Sequence, residues 1–348
     1  MPIPTPQQQV EFLQQLQRLL DEGQFTSTYK FALLLALATL AVDKGDDSGD
    51  ELTLSVKDLA ERFIELYWQQ ARPFVLSGTS TDMPLQQNSG AQAAIIGTLF
   101  DIRRTKDPCW RLRTYPNWNG LVATVGRVVS QMPLWKLQRV GDETVDFLYA
   151  NTGLGQTITL KAGIAFCLRA FNGLVHNLVE AAWLNYVRTL NKDRLGESAD
   201  IAEYLFGADR DGLAVYRPFL NDLQAGRCFY CRRSLGEKGQ VDHFVPWARY
   251  PVDLGYNFVL AHQTCNGRKS DHIAAEEHLR AWTARNEQDG AALIQFCDVN
   301  RLPHGSVRSQ GIARWAYTQT ARINGLTWLE GQTLEHLRGD WRRLLGAA

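Results

Sequence analysis

Two pairs of metal-binding side chains lie in the last third of the chain. Cys228 and Cys231 are separated by two residues, and His262 and Cys265 repeat that spacing further along. Thiolates and imidazoles are the ligands of tetrahedral structural zinc, so the two pairs predict a Cys3His zinc site. Taken alone, Cys228 and Cys231 are also compatible with a redox pair or with ordinary buried cysteines, because one Cys-x-x-Cys is a weak motif. The second pair favours zinc.

The remaining cysteines have no partner at ligand spacing. Cys109, Cys167 and Cys297 are therefore interpreted as small core residues. Free thiols without a disulfide pattern are typical of a reducing compartment, which predicts a cytoplasmic protein.

Asp242 and His243 lie between the two ligand pairs, in a short apolar segment that predicts a strand ending at Pro246. Hydrolysis of a phosphodiester needs a base of near-neutral pKa to activate water, and histidine supplies one. A hard divalent cation on oxygen ligands neutralises the charge that develops on the phosphate, and Asp242 is its predicted ligand. Adjacent strand residues point to opposite faces, so the two side chains address different sides unless the strand bends.

Segment 227–275 resembles an HNH, or ββα-metal, endonuclease domain. The resemblance rests on the Asp-His pair, on an Asn near the second strand, on the Cys-Asn-x-x-Lys run and on the two ligand pairs. It implies that His243 is the general base, that Asp242 and Asn266 bind a catalytic Mg²⁺ or Mn²⁺, and that Asn257 orients the imidazole or braces the loop. It also implies that Lys269, one helical turn beyond Asn266, reaches a phosphate of the substrate.

Two positions depart from the usual pattern of that family. His262 stands where zinc-containing members usually have a third cysteine, which Cys3His coordination accommodates. The last motif position is Asn266 rather than His, a variant that resembles the nicking domain of CRISPR effector nucleases.

The resemblance implies an enzyme that cuts or nicks DNA with Mg²⁺ or Mn²⁺, in bacterial restriction or antiphage defence. DNA is the expected partner, with a second defence-system protein as a further candidate. Two other functions stay open: a non-catalytic zinc module that binds nucleic acid with a partner, and an RNA-cutting toxin or effector. The intact set Asp242, His243 and Asn266 argues against the non-catalytic module.

The overall charge restricts where a nucleic acid can bind. The formal net charge of the 348 residues is zero, so a phosphate-binding surface has to be local. Segment 227–272 has seven basic and four acidic residues, a net charge of plus three. The apolar run 31–42 is too short to cross a bilayer and the first residues lack a charged leader region, so no membrane association is expected.

The sequence predicts a mainly α fold with small β elements, and a zinc-stapled ββα-metal module in the C-terminal half. Three segments are expected: a helical region 1–215 for recognition or partner docking, the nuclease module 216–275, and a helical extension 276–348. Apolar spacing predicts an amphipathic helix over 7–20 and a buried helix around 31–42. Ser55 and Asp58 predict a capping box at the start of a third helix.

Three further segments give more specific expectations. Segments 145–149 and 157–160 predict a hairpin, and a long helix is expected over 161–190. Arginines alternate with aromatic residues in segment 103–118, which suits either a base-stacking surface or a solvated turn with inward-facing rings.

Overall fold

The chain forms two compact units, Met1–Gly207 and Ala208–Ala348. The computed structural model describes residues 3–76, 79–80, 83–104, 115–151, 155–195, 201–207, 213–236 and 239–346. Over these described ranges both units are mainly helical and every sheet has two strands, which confirms the predicted mainly α fold class with small β elements. Segments 216–275 and 276–348 both belong to the second unit.

The first unit is organised around one helix that is buried over most of its length. Its described helices are α1 (Pro6–Glu22), α2 (Tyr29–Lys44), α3 (Val56–Gln70), α4 (Ala94–Arg103), α5 (Trp118–Gln131), α6 (Pro133–Lys136), α7 (Ile164–Ala170), α8 (Asn172–Leu190) and α9 (Ile201–Phe206). Every residue of α2 from Tyr29 to Val42 is buried, as expected for a helix that is apolar on all sides. Helices α3, α7 and α8 pack against it.

Local capping defines where two of these helices begin. Thr5 accepts a hydrogen bond from the Gln8 amide while the Gln8 side chain accepts one from the Thr5 amide. Ser55 and Asp58 form the same reciprocal pair at the start of α3, which confirms the predicted capping box. The predicted amphipathic and buried helices are present as α1 and α2.

The small sheets of the first unit do not follow the predicted pairing. The strands are β1 (Leu52–Ser55), β2 (Val75–Leu76), β3 (Thr79–Ser80), β4 (Arg139–Val140), β5 (Glu143–Thr144) and β6 (Thr157–Leu160). The predicted hairpin is present only as an antiparallel bridge, and the main partner of β6 is the distant β1. That pairing places Leu54 against Ile158, both buried, whereas segment 145–149 contributes only a bridge from Tyr149 to Leu160.

The predicted long helix over 161–190 is interrupted at Phe171, where α7 ends and α8 begins. Of the arginine and aromatic segment 103–118, residues 105–114 lie outside the described part of the chain.

The second unit is built around a β-hairpin and the helices that support it. Its elements are α10 (Tyr216–Leu223), β7 (Gly239–His243), β8 (Phe258–His262), α11 (Gln263–Lys269), α12 (Glu276–Gln288), α13 (Gly290–Asn300), α14 (Ser306–Arg322), β9 (Leu326–Glu330), β10 (Thr333–His336) and α15 (Asp340–Leu345). Strands β7 and β8 pair antiparallel from Gly239 opposite His262 to His243 opposite Phe258. Helix α11 follows β8 directly and packs against both strands.

Helix α12 supports this hairpin. The Trp282 ring stacks on Phe244 with centroids 5.0 Å apart, and its Nε1 donates to the Tyr256 carbonyl at 2.9 Å. The buried Arg285 guanidinium donates to the carbonyls of Tyr256 and Phe258. These contacts hold the start of β8 in place.

Within the described ranges, no helix has both the length and the apolar character needed to cross a membrane.

Candidate functional site

The four predicted zinc ligands lie together in the second unit. The ligand atoms of Cys228, Cys231, His262 and Cys265 are all within 4.8 Å of one another. His262 Nδ1 is 3.3 Å from Cys231 Sγ and 4.0 Å from Cys265 Sγ. This Cys3His group could hold a zinc ion.

A tight turn presents the first two thiols. The Cys228 amide donates to the Arg233 carbonyl at 2.9 Å, and the Arg232 amide donates to the Cys228 carbonyl at 3.0 Å. Arg232 has a φ of +59°, so the chain reverses through a left-handed residue. The Phe229 amide donates to the Leu260 carbonyl of β8 at 2.9 Å, which ties the turn to the hairpin.

His262 is oriented by a second hydrogen bond. Its Nε2 lies 2.9 Å from the Ser234 carbonyl, a group that only accepts, so Nε2 carries the proton. The tautomer leaves Nδ1 unprotonated and facing the thiols. Metal-binding histidines are held in this way by a donor bond from their other nitrogen.

The ionisation of the three cysteines also bears on whether the group can hold a cation. Burial, followed by the neighbouring Cys228 and Cys231 thiols, raises the pKa of Cys265 to about 12. Burial opposes ionisation of Cys231 too, but hydrogen bonds from the Arg233 backbone and from the neighbouring thiols and His262 outweigh it and lower the pKa of Cys231. Zinc binds cysteine as the thiolate and would supply the positive charge that lets the three sulfurs ionise side by side, so the donor set fits a structural Zn²⁺.

Asp242 faces helix α11 and is already paired. Lys269 Nζ is 3.1 Å from Asp242 Oδ2 and also donates to the His243 carbonyl at 2.9 Å. The Tyr230 hydroxyl donates to Asp242 Oδ2 at 2.6 Å. Burial and the Asp242 charge raise the pKa of Tyr230, so this hydroxyl stays protonated. The sequence suggested that Lys269 reaches a phosphate, whereas in the structure its side chain is fully buried.

His243 points to the opposite face of β7, where it meets a residue that the sequence did not suggest. Its Nε2 is 2.8 Å from Asp253 Oδ1. The ring packs edge-on against Phe258, with centroids 4.9 Å apart, and lies 5.3 Å from the half-buried Trp247. The sequence around Asp253 has no helix or strand periodicity. It therefore does not predict that this residue contacts His243, ten positions earlier. Pro251, Asp253 and Gly255 are residue types that indicate a turn, but they do not indicate which side chain it would contact.

The two asparagines occupy different positions around the hairpin. Asn257 Oδ1 accepts from the Val245 amide at 2.8 Å and its Nδ2 donates to the Val245 carbonyl at 3.0 Å, so it braces the segment after β7. Asn266 Nδ2 is 3.4 Å from Gln240 Oε1. Gln240 lies two residues before Asp242, so Asn266 is on the Asp242 face of the strand.

The residues predicted to hold a catalytic Mg²⁺ do not fit a divalent cation as arranged. Both carboxylate oxygens of Asp242 contact Lys269, whose positive charge already neutralises them. Among the described residues, the only group of three or more His, Cys, Asp or Glu side chains placed to share an ion is the Cys3His group. The arrangement of Asp242 and Asn266 therefore gives no support to the predicted catalytic cation.

Comparison of the chain with protein-family models gives no match, and comparison with curated proteins gives none either. The chemistry of the site is therefore inferred from its own residues.

Proposed function

We propose that the second unit is an HNH-type endonuclease that hydrolyses phosphodiester bonds in DNA, with His243 as the general base. The observation that carries this proposal is the hydrogen bonding of the two ring nitrogens of His243. Its Nε2 is held by Asp253, while its Nδ1 has no hydrogen-bond partner among the described residues. The side chain keeps 9% of its surface exposed, and the proposal requires that a water molecule reach Nδ1 through this surface.

The hydrogen bond to Asp253 places the ring proton of His243 on Nε2, and the proposed reaction follows from this tautomer. A proton on Nε2 leaves the lone pair of Nδ1 available to accept a proton from water as the water oxygen attacks phosphorus. The bond from phosphorus to the 3′ oxygen then breaks, leaving a 5′-phosphate and a 3′ hydroxyl that takes its proton from solvent. General base catalysis of this kind contributes about 10²- to 10⁴-fold in rate.

The net formal charge of each unit favours the second unit for binding a polyanion. It contains 18 basic and 15 acidic residues, whereas the first unit contains 19 basic and 22 acidic residues. A net positive unit attracts a polyanion more strongly than a net negative one. Trp247, half-buried beside His243, provides a flat apolar side chain for a base or sugar near the reacting phosphate.

The HNH resemblance also implies Mg²⁺ or Mn²⁺, and restriction or antiphage defence in the cytoplasm with a defence partner. Those parts of the proposal rest on the sequence motif. Because Asp242 is paired with Lys269, the reaction steps above use only the side chains of the chain itself.

Plasmid cleavage tests the proposal. Purified protein is incubated with supercoiled plasmid in Mg²⁺, in Mn²⁺ and in a chelator weak enough to leave structural zinc bound. We expect nicked or linear plasmid from the wild type and from a control, His336→Ala, whose histidine is exposed on β10. His243→Ala is expected to lose cleavage while its zinc content and thermal unfolding stay unchanged. Cleavage that persists in His243→Ala would contradict the assigned base.

Labelled RNA and a binding assay, run in parallel, address the other two functions. RNA cleavage without DNA cleavage would favour the RNA-cutting effector. Binding that is equal in wild type and His243→Ala, with no product from any substrate, would favour the non-catalytic zinc module.

A further inference from the structure

We infer that Asp253 is a positioning residue that fixes the tautomer and the orientation of His243. This inference rests on the proposed function for its catalytic consequence, although the contact itself does not depend on it. The distance of 2.8 Å between His243 Nε2 and Asp253 Oδ1 is that of a strong, charge-assisted hydrogen bond.

The imidazole has little freedom to turn away from this carboxylate. Phe258 lies edge-on to the ring on the cross-strand side, with an interplanar angle of 72°, and Trp247 lies on another side at 58°. The side chain of His243 is 9% exposed and that of Asp253 is 23% exposed. Two aromatic neighbours and one carboxylate therefore define the plane of the ring.

The backbone on both sides of Asp253 is anchored. The Tyr250 amide donates to the Pro246 carbonyl at 3.1 Å, and the Tyr250 hydroxyl accepts from Arg308 at 2.8 Å. After Asp253, the Leu254 carbonyl accepts from the Asn257 amide at 2.8 Å. Tyr250 and Leu254 are both buried, so the carboxylate is presented from a fixed turn.

The other charged and titratable groups near His243 do not compete for Nε2. Lys269 contacts the backbone carbonyl of His243 and is neutralised by Asp242 on the opposite face of the strand. Tyr216 packs on Phe258, beyond the imidazole, and burial raises its pKa, so it stays neutral. Asp253 is thus the charged side chain bonded to the ring within the described structure.

The chemical role follows from what a carboxylate can do. An ionised carboxylate only accepts hydrogen bonds, so it selects the tautomer with the proton on Nε2 and the lone pair on Nδ1. When Nδ1 takes the proton of the attacking water, the same carboxylate stabilises the imidazolium without itself taking a proton. The sequence resemblance gave Asn257 as the residue that orients the imidazole or braces the loop, and in the structure Asn257 bonds the Val245 backbone, not the ring.

Two substitutions at Asp253 and one control test the inference. Asp253→Asn keeps the shape but removes the charge, and Asp253→Glu keeps the charge on a longer side chain. The control is Asp222→Asn, an exposed aspartate on α10. We expect Asp253→Asn to lower kcat for plasmid nicking by about 10²-fold with KM changed less than about twofold. Asp253→Glu should recover part of the loss, and Asp222→Asn should match the wild type.

Imidazole ¹⁵N NMR supplies a measurement that needs no substrate. The chain has 7 histidines, and the His243→Ala spectrum identifies the signal of His243. We expect the neutral form protonated on Nε2 in the wild type and in Asp253→Glu, and a shift toward protonation on Nδ1 in Asp253→Asn.

The two measurements separate the possible failures. If no nucleic acid is cut but the tautomer changes as expected, the proposed function fails and the positioning role stands. A tautomer that is identical in wild type and Asp253→Asn, or an unchanged kcat in that variant, would overturn the positioning role.

Discussion

Lys269 Nζ lies 3.1 Å from Asp242 Oδ2, inside the junction between strand β7 and helix α11. The Lys269 side chain is fully buried and that of Asp242 is 8% exposed. The same ammonium donates to the carbonyl of His243, so one side chain joins the helix to the end of the strand that carries the proposed base. The pair is a structural connection in this arrangement.

Removing the ammonium should therefore destabilise the second unit. Lys269→Met leaves a buried carboxylate without its charge partner, and we expect the free energy of unfolding to fall by about 3–5 kcal/mol in chemical denaturation. Arg268→Met, an exposed position on the same helix, should change it by less than about 0.5 kcal/mol. The double variant Asp242→Asn with Lys269→Met should recover part of the loss. A fully stable Lys269→Met would show that the pair contributes nothing.

The Cys3His group predicts a metal-dependent fold. Cys228→Ser should lose bound zinc, measured by elemental analysis, and the second unit should unfold at lower temperature because structural zinc contributes folding free energy. Cys167→Ala, at a buried thiol of the first unit, should keep the wild-type zinc content. Equal zinc content in the two variants would remove Cys228 from the ligand set.

Lys30 predicts a pH dependence in the first unit. It is 6% exposed, its Nζ is 3.5 Å from the Arg139 carbonyl, and burial, followed by the charges of Lys136 and Arg139, lowers its pKa to about 8. Between that value and the ordinary 10.5, the unfolded chain binds more protons than the folded one. Stability contributed by this group therefore rises with pH across that window.

Lys30→Met removes the penalty of burying the charge. We expect the midpoint temperature of thermal unfolding of the first unit to be a few degrees higher in the variant than in the wild type at pH 7. This difference should be constant below about pH 8 and should shrink toward pH 10.5. Lys57→Met, at an exposed position of α3, should show no such dependence. An advantage that grew with pH would contradict the sign of this effect.

The Arg169 side chain caps the C-terminal end of helix α2. Its guanidinium donates to the carbonyls of Ala41, Val42 and Gly45 and pairs with Asp47 at 2.9 Å. Arg169→Met should lower the free energy of unfolding by about 3 kcal/mol, because buried carbonyls and a carboxylate lose a charged donor. Arg169→Lys should recover only part, since an ammonium cannot reproduce the planar set of donors. Denaturant titration of both variants would check this order.

Some of the site could be predicted because its determinants are local. Each zinc-ligand pair lies on one turn or at one strand–helix junction, so the spacing of Cys228 with Cys231 and of His262 with Cys265 already implies convergence. The capping box at Ser55 and Asp58 is local in the same way. Strand alternation also anticipated that Asp242 and His243 would face opposite sides.

Other features depended on contacts between distant segments. Nothing near β6 in the sequence indicates that its main partner is β1, because β1 lies far away along the chain. The Asp253 contact requires a turn whose shape is set by anchors at Tyr250 and Leu254. The pairing of Lys269 with Asp242 depends on how closely α11 packs on β7.

The four predicted zinc ligands come from both ends of a segment, Cys228 to Cys265, that contains His243 and Asp253. When the two ends of a loop are held together, the chain between them has less conformational entropy left to lose as it becomes ordered. This effect grows only slowly with loop length. A metal bound there would therefore help to bring the proposed base and its carboxylate into register as the chain folds. An approaching substrate would meet a preorganised dyad, and its binding would not have to order this segment.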